Sequence, residues 1–554
     1  MMNNRLQPLF IAFAVVLGMW IGKGCGPEQP SMAAGPWGLK GDDKTRLLHV
    51  FNRVEDMYVD SSDMSRLVDV AIEAMLEELD PHTEYFTGEE LAAMSENMEG
   101  NFEGIGVEFL IQDDTLMVVT PIDGGPSQEA GIQAGDRIVA VDGEAISGPG
   151  LDNQRVMELL KGPRGTEVAL GLLRRAESFE VRLTRGRIPI HSVVASFVAE
   201  SSVGYIKVVR FAASTALEFE RALLALAAQG AESVVVDLRG NGGGYLNAVV
   251  DMLDWFLGDG DLMVYTEGKS SPRRTYSARG DGAFRHWPLA VLVDEGSASA
   301  SEIFAGAIQD NDRGLVVGRR TFGKGLVQEE FAVPGSGALR LTVARFYTPT
   351  GRAIQKPYAD YEDDFDVRLA SGELFDADSM PLVDSLRYRT PLGREVYGGG
   401  GIAPDLFVSW DSTATSAWVS EWIWNGVLRD AVFDWMDVNR EALAGCNHPS
   451  DVASLPSWST MEQALKDRAL SEGWGWRAPN RLERAQLEQR FMAQVVRVQW
   501  GESESYEVLI EGDTGVAMAL HALLEGEHFV SQDGAVSLAP TTDESTNKHT
   551  NHGF

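Results

Sequence analysis

The chain has 554 residues, of which 44% are hydrophobic and 23% charged, so we expect several globular domains rather than a single core. Its 47 basic and 82 acidic residues give a formal net charge of −35. A surface this acidic repels nucleic acid, so we expect no polynucleotide partner and interpret the acidity as an aid to solubility or a saline habitat. The two cysteines, Cys25 and Cys446, lie too far apart in sequence for a metal-ligand motif or a disulfide framework.

An apolar run near the N-terminus follows a basic residue. Arg5 precedes the run, which occupies residues 9–21. A positive start followed by an apolar stretch directs a chain to the export machinery, although this run is short for a membrane span, which needs about 20 residues. Cleavage after Ala33 and lipid modification of Cys25 are alternatives, and we favour an uncleaved anchor or signal within residues 1–25. We therefore expect the body of the protein in the periplasm or on the extracytoplasmic side of the inner membrane.

Residues 44–98, after a linker over residues 26–41, show apolar side chains at helical spacing and predict an N-terminal helical region. The turn at residues 79–82 interrupts this pattern. His82 follows a proline there, and we expect it to cap or pack rather than to bind a ligand.

From about residue 99 the spacing of apolar residues becomes strand-like. A glycine-rich stretch is followed by apolar strands and by an A-G-x-x-x-G-D-x-I run at residues 130–138. The stretch comprises Gly104, Ile105, Gly106 and Val107. This order resembles a PDZ domain over residues 99–186. Glycines in such a loop let backbone N–H groups converge on a terminal carboxylate, and an edge strand then pairs with the rest of the peptide.

Residues 187–408 alternate apolar strand-like segments with helical ones, which is typical of an α/β domain. Residues 409–535 are rich in Trp, Leu, Glu and Arg at helical spacing and predict a helical C-terminal extension of unknown purpose. The polar tail, residues 536–554, is expected to be disordered.

The first segment that suggests chemistry is D-L-R-G-N-G-G-G at residues 237–244, directly after an apolar strand. Consecutive glycines, among them Gly242 and Gly243, let the backbone turn sharply and present N–H groups to an incoming oxygen. A plain strand-to-helix loop fits the pattern as well. A phosphate site does not, because neither GK[ST] nor GxGxxG is present.

The second segment is E-G-S-A-S-A-S-E at residues 295–302, between a strand and a helix. A hydroxyl at such a junction, with the free N–H groups of a helix N-terminus behind it, supplies a nucleophile and part of an oxyanion hole. Serines at a helix start are usually caps, and on this segment alone capping is the favoured interpretation. The segment is not the GxSxG elbow of α/β-hydrolases.

The third segment places Lys324 between two glycines, with Phe322, Leu326 and Val327 nearby. Free lysine has a pKa of about 10.4, so a lysine base must be desolvated to be neutral near pH 7. An apolar pocket suits that task. Gln328 lies four residues further on, where it can orient the amine. A structural salt bridge is the alternative.

Two histidines are alternative bases for a Ser-His-Asp set. His286 precedes the strand that leads to Ser299, and His191 follows the PDZ-like segment, but neither belongs to a recognisable motif.

Together these segments resemble the C-terminal processing peptidases, or tail-specific proteases, of serine peptidase family S41. The resemblance covers roughly residues 44–408 and is carried by residues 79–82, the PDZ-like segment, and residues 237–244, 296–302, 322–328 and 348–355. It implies that Ser299 is the nucleophile and that Lys324, at the spacing usual in that family, is its general base with support from Gln328. The implied oxyanion donors are the Ala300 N–H and an N–H of Gly242 or Gly243.

The resemblance also implies a ClpP/crotonase-like α/β core with an inserted PDZ domain and helical flanks. The implied activity is endopeptidase cleavage of exported proteins whose free C-terminal tails the PDZ domain recognises, with no metal or organic cofactor. The expected partners are protein or peptide substrates, and the membrane through the N-terminal segment. A non-catalytic peptide- or ligand-binding protein is the alternative, against which the intact Ser299, Lys324 and Gln328 argue.

Overall fold

The computed structural model describes residues 43–148, 150–174, 177–280, 282–334, 337–358, 361, 363–410, 416–452, 455, 457–532 and 535–539. The chain divides into two compact units, Met1–Met75 and Leu76–Phe554. The anchor predicted over residues 1–25 lies outside the described residues. Within the described ranges, none of the helices combines the length and apolarity that a membrane crossing requires.

The predicted helical region begins with α1 (Asp43–Met57) and α2 (Met64–Glu77), which confirms the helical spacing found there. The same region also contains β1 (Glu84–Thr87) before α3 (Gly88–Glu99). β1 pairs antiparallel with β18 (Gly337–Tyr347). Local periodicity does not predict this strand, because its partner lies far along the chain.

The PDZ-like module is built on a sheet with strand order β3-β4-β5-β7-β8, in which β3 is an edge strand. Its elements are β2 (Asn101–Gly104), β3 (Val107–Gln112), β4 (Thr115–Pro121), α4 (Pro126–Glu129), β5 (Arg137–Val141), β6 (Glu144–Ala145), α5 (Asn153–Leu160), β7 (Glu167–Arg174), β8 (Glu177–Thr184) and β9 (Gly186–Pro189). β2 and β9 pair antiparallel where the chain enters and leaves the module. One buried cluster, including Leu116, Val156 and Leu170, joins the sheet to α5.

The protease-like core is a six-stranded sheet with order β10-β11-β12-β15-β16-β21. Its strands are β10 (Val193–Glu200), β11 (Val203–Val208), β12 (Ser233–Asp237), β15 (Leu289–Val293), β16 (Leu315–Gly318) and β21 (Leu406–Phe407). Every residue of β11, β12, β15 and β16 is buried, as parallel strands covered on both faces require. This explains why these strands read as continuous apolar runs.

Helices cover one face of this sheet. A second, five-stranded sheet has the strand order β1-β18-β13-β14, with β17 paired to β18. The helices are α6 (Thr215–Ala228), α7 (Leu246–Leu253) and α8 (Ala300–Asp310). The other strands and the other α-helix of the core, up to residue 408, are β13 (Leu262–Glu267), β14 (Arg274–Ser277), β17 (Leu326–Val333), α9 (Asp364–Ser371), β19 (Arg387–Arg389) and β20 (Glu395–Tyr397), and two 3-10 helices, Ala377–Ser379 and Asp384–Leu386, lie between α9 and β19. The predicted α/β fold with an inserted PDZ domain is confirmed.

The C-terminal extension is helical, as predicted. Its helices are α10 (Ala417–Trp424), α11 (Val427–Val438), α12 (Arg440–Leu443), α13 (Pro449–Val452), α14 (Trp458–Ser471), α15 (Arg481–Trp500), α16 (Glu502–Leu509) and α17 (Thr514–Leu524). α11, α14 and α15 pack against the PDZ-like sheet at Leu110, Met117 and Val119. α17 instead covers the second face of the core sheet.

One predicted boundary is wrong. The sequence predicts a disordered tail from residue 536, but β22 (His528–Gln532) pairs antiparallel with β23 (Ala535–Ala539). β23 has the sequence A-V-S-L-A, and its backbone groups pair with those of β22, so the ordered hairpin continues past residue 536. Residues 540–554 lie outside the described residues.

Candidate active site

Ser299 lies at the junction between β15 and α8. β15 is an interior strand of the parallel sheet, and Ser299 follows its carboxyl end. Open α/β sheets bind ligands at this edge. Its φ of +55° and ψ of −111° are in a region that costs a residue with a side chain about 1–3 kcal/mol. Strain of this kind is concentrated at functional sites. The side chain is half-buried.

The glycine-rich loop that follows β12 packs directly against the Ser299 turn. The Ala298 N–H donates to the carbonyl oxygen of Asn241 at 3.0 Å. Gly243 has a φ of +101°, and a Cβ at this position would lie 2.8 Å from the Ser299 Cβ. Since that is closer than real Cβ atoms approach, the loop reaches this position only with glycine. The two segments singled out in the sequence therefore meet.

The N–H groups around Ser299 differ in availability. The Gly243 N–H donates to Asn241 Oδ1 at 2.9 Å. Gly242 is exposed, and Ala300 occupies the first position of α8. Within the described part of the chain, neither of these two N–H groups has a hydrogen-bond acceptor. The loop thus leaves Gly242 free while Gly243 is engaged.

Lys324 lies in the segment between β16 and β17, and its Nζ is 3.3 Å from Gln328 Oε1. The side chain is half-buried. Burial lowers the pKa of Lys324 below its ordinary value, and the positive charge of Arg340 lowers it further. This is the direction that a lysine base requires.

The amide of Gln328 is oriented by its second contact. Its Nε2 donates to the carbonyl oxygen of His82, so Oε1 is left to accept from Lys324. The His82 ring packs edge-on against Tyr361, with 5.1 Å between ring centroids. Burial and the charge of Lys324 lower the pKa of His82 to about 4. His82 packs as expected, but the contact of its carbonyl with Gln328 was not predicted.

Glu302 joins the serine turn to the lysine loop. Its fully buried carboxylate accepts the Ser299 and Lys324 backbone N–H groups through Oε2, each at 2.8 Å. The other oxygen accepts the Gly323 N–H at 2.7 Å and the Thr321 hydroxyl at 2.6 Å. Since each nitrogen lies 2.8 Å from the same Oε2 atom, the backbone nitrogens of Ser299 and Lys324 are separated by at most twice that bond length.

Burial raises the pKa of Glu302 to about 7, although these four donors favour the ionised carboxylate. Sequence reasoning did not assign Glu302 any function. The signal was present, since a serine followed three residues later by a glutamate has the spacing of a capping box.

The histidine alternatives lie elsewhere. His286 precedes the amino end of β15, whereas Ser299 follows its carboxyl end, and a five-residue strand spans about 17 Å. Its ring nitrogen accepts from Arg285 Nε at 3.1 Å. His191 Nδ1 lies 4.0 Å from Glu218 Oε2, and its side chain is 52% exposed. The proposal of His286 as the base is therefore wrong, because the strand separates the two side chains.

The predicted carboxylate loop precedes the edge strand β3. Gly106 has a φ of +76°, and a Cβ there would lie 2.9 Å from Ile188 Cδ1. The carbonyl of Ile105 accepts both the backbone N–H and the hydroxyl of Ser127. Glycine is required at Gly106, and the loop leads into the unpaired edge of β3 as a PDZ peptide site demands.

Comparison with known proteins gives two family matches. Residues 202–367 match the model of peptidase family S41, and residues 117–174 match a PDZ domain model. The carboxy-terminal-processing protease of Bartonella bacilliformis is 33% identical over 342 residues, covering 59% of this chain and 78% of that protein. The carboxy-terminal processing protease CtpB of Bacillus subtilis is 32% identical over 342 residues, covering 59% and 70%. Among solved structures, a photosystem II D1 C-terminal processing protease is 28% identical, covers 67% of this chain and 94% of its own, and has a TM-score of 0.35.

The core, its PDZ domain and the sequence matches define a serine-type peptidase. The chain belongs to peptidase family S41, with the carboxy-terminal-processing proteases.

Proposed function

We propose that this chain cleaves proteins through a Ser299–Lys324 dyad after capturing their C-terminal tails. The single observation that carries this proposal is the bridging by Glu302, whose buried carboxylate binds the backbone of both residues. A nucleophile and a base must be held within reach of each other for acyl transfer, and Glu302 supplies that constraint.

In the first step the Ser299 Oγ attacks the scissile carbonyl while neutral Lys324 accepts the hydroxyl proton. Lys324 then donates this proton to the departing amine as the C–N bond breaks. A water then attacks the acyl-enzyme while Lys324 accepts its proton. Lys324 returns this proton to the Ser299 Oγ as the ester bond breaks, which restores the free serine and the neutral lysine. Within the described residues no hydrogen bond joins the Ser299 hydroxyl to Lys324, and such bonds commonly tighten only when substrate is bound.

The negative oxygen of each tetrahedral intermediate would be held by the N–H groups of Gly242 and Ala300. Gly243 is the weaker candidate, since its N–H already donates to Asn241. Ala300 also begins α8, so the positive end of the helix dipole supports the same oxygen.

The substrate tail would pair with the free edge of β3, with its carboxylate on the loop formed by Gly104, Ile105, Gly106 and Val107. A cavity of about 1130 Å³ is lined by β3, by the core and by the C-terminal extension, and its lining includes Val107, Arg210 and Phe433. Arg210 is next to Phe211, whose N–H donates to the Gly243 carbonyl at 3.0 Å. This space supports a path from the PDZ site toward the glycine loop.

We also propose that the apolar run at residues 9–21 anchors the protein on the extracytoplasmic side of a membrane, in keeping with a substrate pool of exported proteins. Expression of the full chain should place it in the membrane fraction, accessible to protease added from outside the cytoplasm. Recovery inside the cytoplasm would contradict this placement.

The test is cleavage of an unfolded protein substrate offered with either a free or an amidated C-terminus. We expect the free tail to be cut at least tenfold faster, because the amide cannot supply the carboxylate that the glycine loop receives. Ser299→Ala should abolish both activities at unchanged circular dichroism. Equal rates for the two termini would contradict tail recognition, and binding without cleavage by the wild type would leave a peptide-binding protein.

A further inference from the structure

An ion pair between Asp513 and Arg239 joins the C-terminal extension to the glycine loop. Asp513 lies between α16 and α17 and caps α17, accepting the Val516 N–H at 2.9 Å through Oδ1. The same carboxylate accepts from Arg239 Nη1 at 3.1 and 2.8 Å. Arg239 belongs to the D-L-R-G-N-G-G-G loop, three residues before Gly242.

The other side of the Arg239 guanidinium is fixed by the core. Its Nη2 donates to Asp237 Oδ2 at 2.6 Å, and its Nε is 3.1 Å from both Asp237 oxygens. Asp237 is also bound by Tyr205 at 2.8 Å and by Lys207 at 3.0 Å. Burial alone would raise the pKa of Asp237, but Arg239 and Lys207 outweigh it and hold that pKa well below its usual range. Asp237 is therefore ionised, and Arg239 lies between two carboxylates.

The pair with Asp513 is not an ordinary surface contact. The side chains of Arg239 and Asp513 are each only 25% exposed. Charge pairs that are partly withdrawn from water constrain their residues more than exposed ones do. Lys207 completes the group by donating to the Arg239 carbonyl at 2.6 Å, so both the backbone and the side chain of Arg239 are held.

The rest of the loop is fixed from within the core. The Gly240 N–H donates to Asp294 Oδ1 at 2.8 Å, and Asn241 Nδ2 donates to the Val208 carbonyl at 3.0 Å. The carbonyl of Asn241 accepts from Ala298, directly before the nucleophile. Arg239 is thus the point at which the extension can set the position of the loop that carries Gly242.

We propose that Asp513 is a positioning residue for the peptidase reaction: by holding Arg239 it sets the glycine loop against Ser299. This inference rests on the proposed function, because it assigns the loop to oxyanion binding. It also gives the C-terminal extension a purpose in catalysis, although the extension contributes no group to the reacting atoms.

The test compares Asp513→Asn with Glu483→Gln in the full chain. An asparagine is an equally good helix cap, so Asp513→Asn keeps α17 but removes the charge facing Arg239. Glu483 is the matched control, since it lies in the same extension, pairs with Arg477 and closes the capping box of α15. Glutamine keeps that capping box.

Three quantities are measured for each variant: kcat and KM on a short peptide ester that does not engage the PDZ domain, the rate of Ser299 labelling by a serine-directed phosphonate, and the Tm. For Asp513→Asn we expect kcat and the labelling rate to fall about tenfold, with KM and Tm unchanged, since loss of one oxyanion donor outright costs about 10²–10³. Glu483→Gln should match the wild type. Asp513→Ser, which also keeps a capping oxygen, replaces Asp513→Asn if that variant does not fold.

Unchanged kcat and labelling in Asp513→Asn, or an equal fall in Glu483→Gln, would overturn the inference. A faster reaction of Asp513→Asn would also overturn the inference, because it would mean that Arg239, once freed from Asp513, stabilises the oxyanion directly through its charge. If the wild type is not labelled at Ser299, the proposed function fails and this inference with it. Normal wild-type labelling with an unaffected Asp513→Asn removes this inference alone.

Discussion

At the scale of single residues, the site depends on groups whose ionisation is shifted by burial. In the proposed dyad Lys324 must be neutral to accept a proton, and burial together with Arg340 lowers its pKa. Glu302 must accept four donors, and its pKa is raised to about 7 by burial. Rising pH deprotonates both Lys324 and Glu302, so it favours the proposed base and the carboxylate that bridges the two loops together.

The first prediction concerns the pH dependence of the reaction. Because the charge of Arg340 disfavours protonated Lys324, Arg340→Gln should raise the pKa of Lys324 and move the rising limb of the kcat/KM profile to higher pH. At pH 7 the variant should be slower, because less of Lys324 is neutral. Arg345→Gln, an exposed arginine on the same strand, is the control. A profile that moves to lower pH or does not move would contradict this origin of the shift.

At the scale of elements, the proposed active site lies where two strand-to-helix connections of the parallel sheet touch. The loop after β12 carries Gly242, and the turn after β15 carries Ser299. Sequence patterns predicted both connections, because apolar runs and glycines are local signals. They did not predict that Gly243 lies against Ser299, which depends on the adjacent placement of β12 and β15 in the sheet.

The second prediction follows from that contact. Gly243→Ala would place a methyl group 2.8 Å from both the Ser299 Cβ and the Ala298 carbonyl oxygen, at a φ of +101°. We expect peptide cleavage to fall at least about 100-fold, as for loss of an oxyanion donor. Gly280→Ala, at a glycine with open space around it, should leave activity unchanged. Wild-type activity in Gly243→Ala would show that catalysis does not depend on the close contact of the loop with Ser299.

At the scale of the whole second unit, the extension joins the PDZ domain to the core. Arg497 of α15 lies 3.1 Å from Glu108 on β3, and Asp513 reaches Arg239 in the core. Helical spacing predicted these helices, but their partners lie hundreds of residues away. The same applies to the bond from Gln328 to His82 and to the pairing of β1 with β18. Long-range contacts of this kind leave no local pattern in a single sequence.

The third prediction tests this joining. Leu110 is 4% exposed and packs in the cluster that the PDZ sheet forms with the extension. Leu110→Ala should therefore lower the free energy of unfolding by about 2–5 kcal/mol. It should also speed hydrogen exchange in α15. Leu170 is fully buried in the other PDZ cluster, and Leu170→Ala should speed exchange within the PDZ sheet first. Unchanged exchange in α15 for Leu110→Ala would mean that the extension does not depend on the PDZ face.

The most direct test of the Ser299–Lys324 dyad is mass-spectrometric mapping of a serine-directed phosphonate across a pH series, in the wild type and in Lys324→Ala. We expect the label on Ser299, at a rate that rises with pH in the wild type and falls at least about 100-fold at pH 7 in Lys324→Ala. Labelling of another residue, or of Ser299 at the wild-type rate without Lys324, would contradict the dyad.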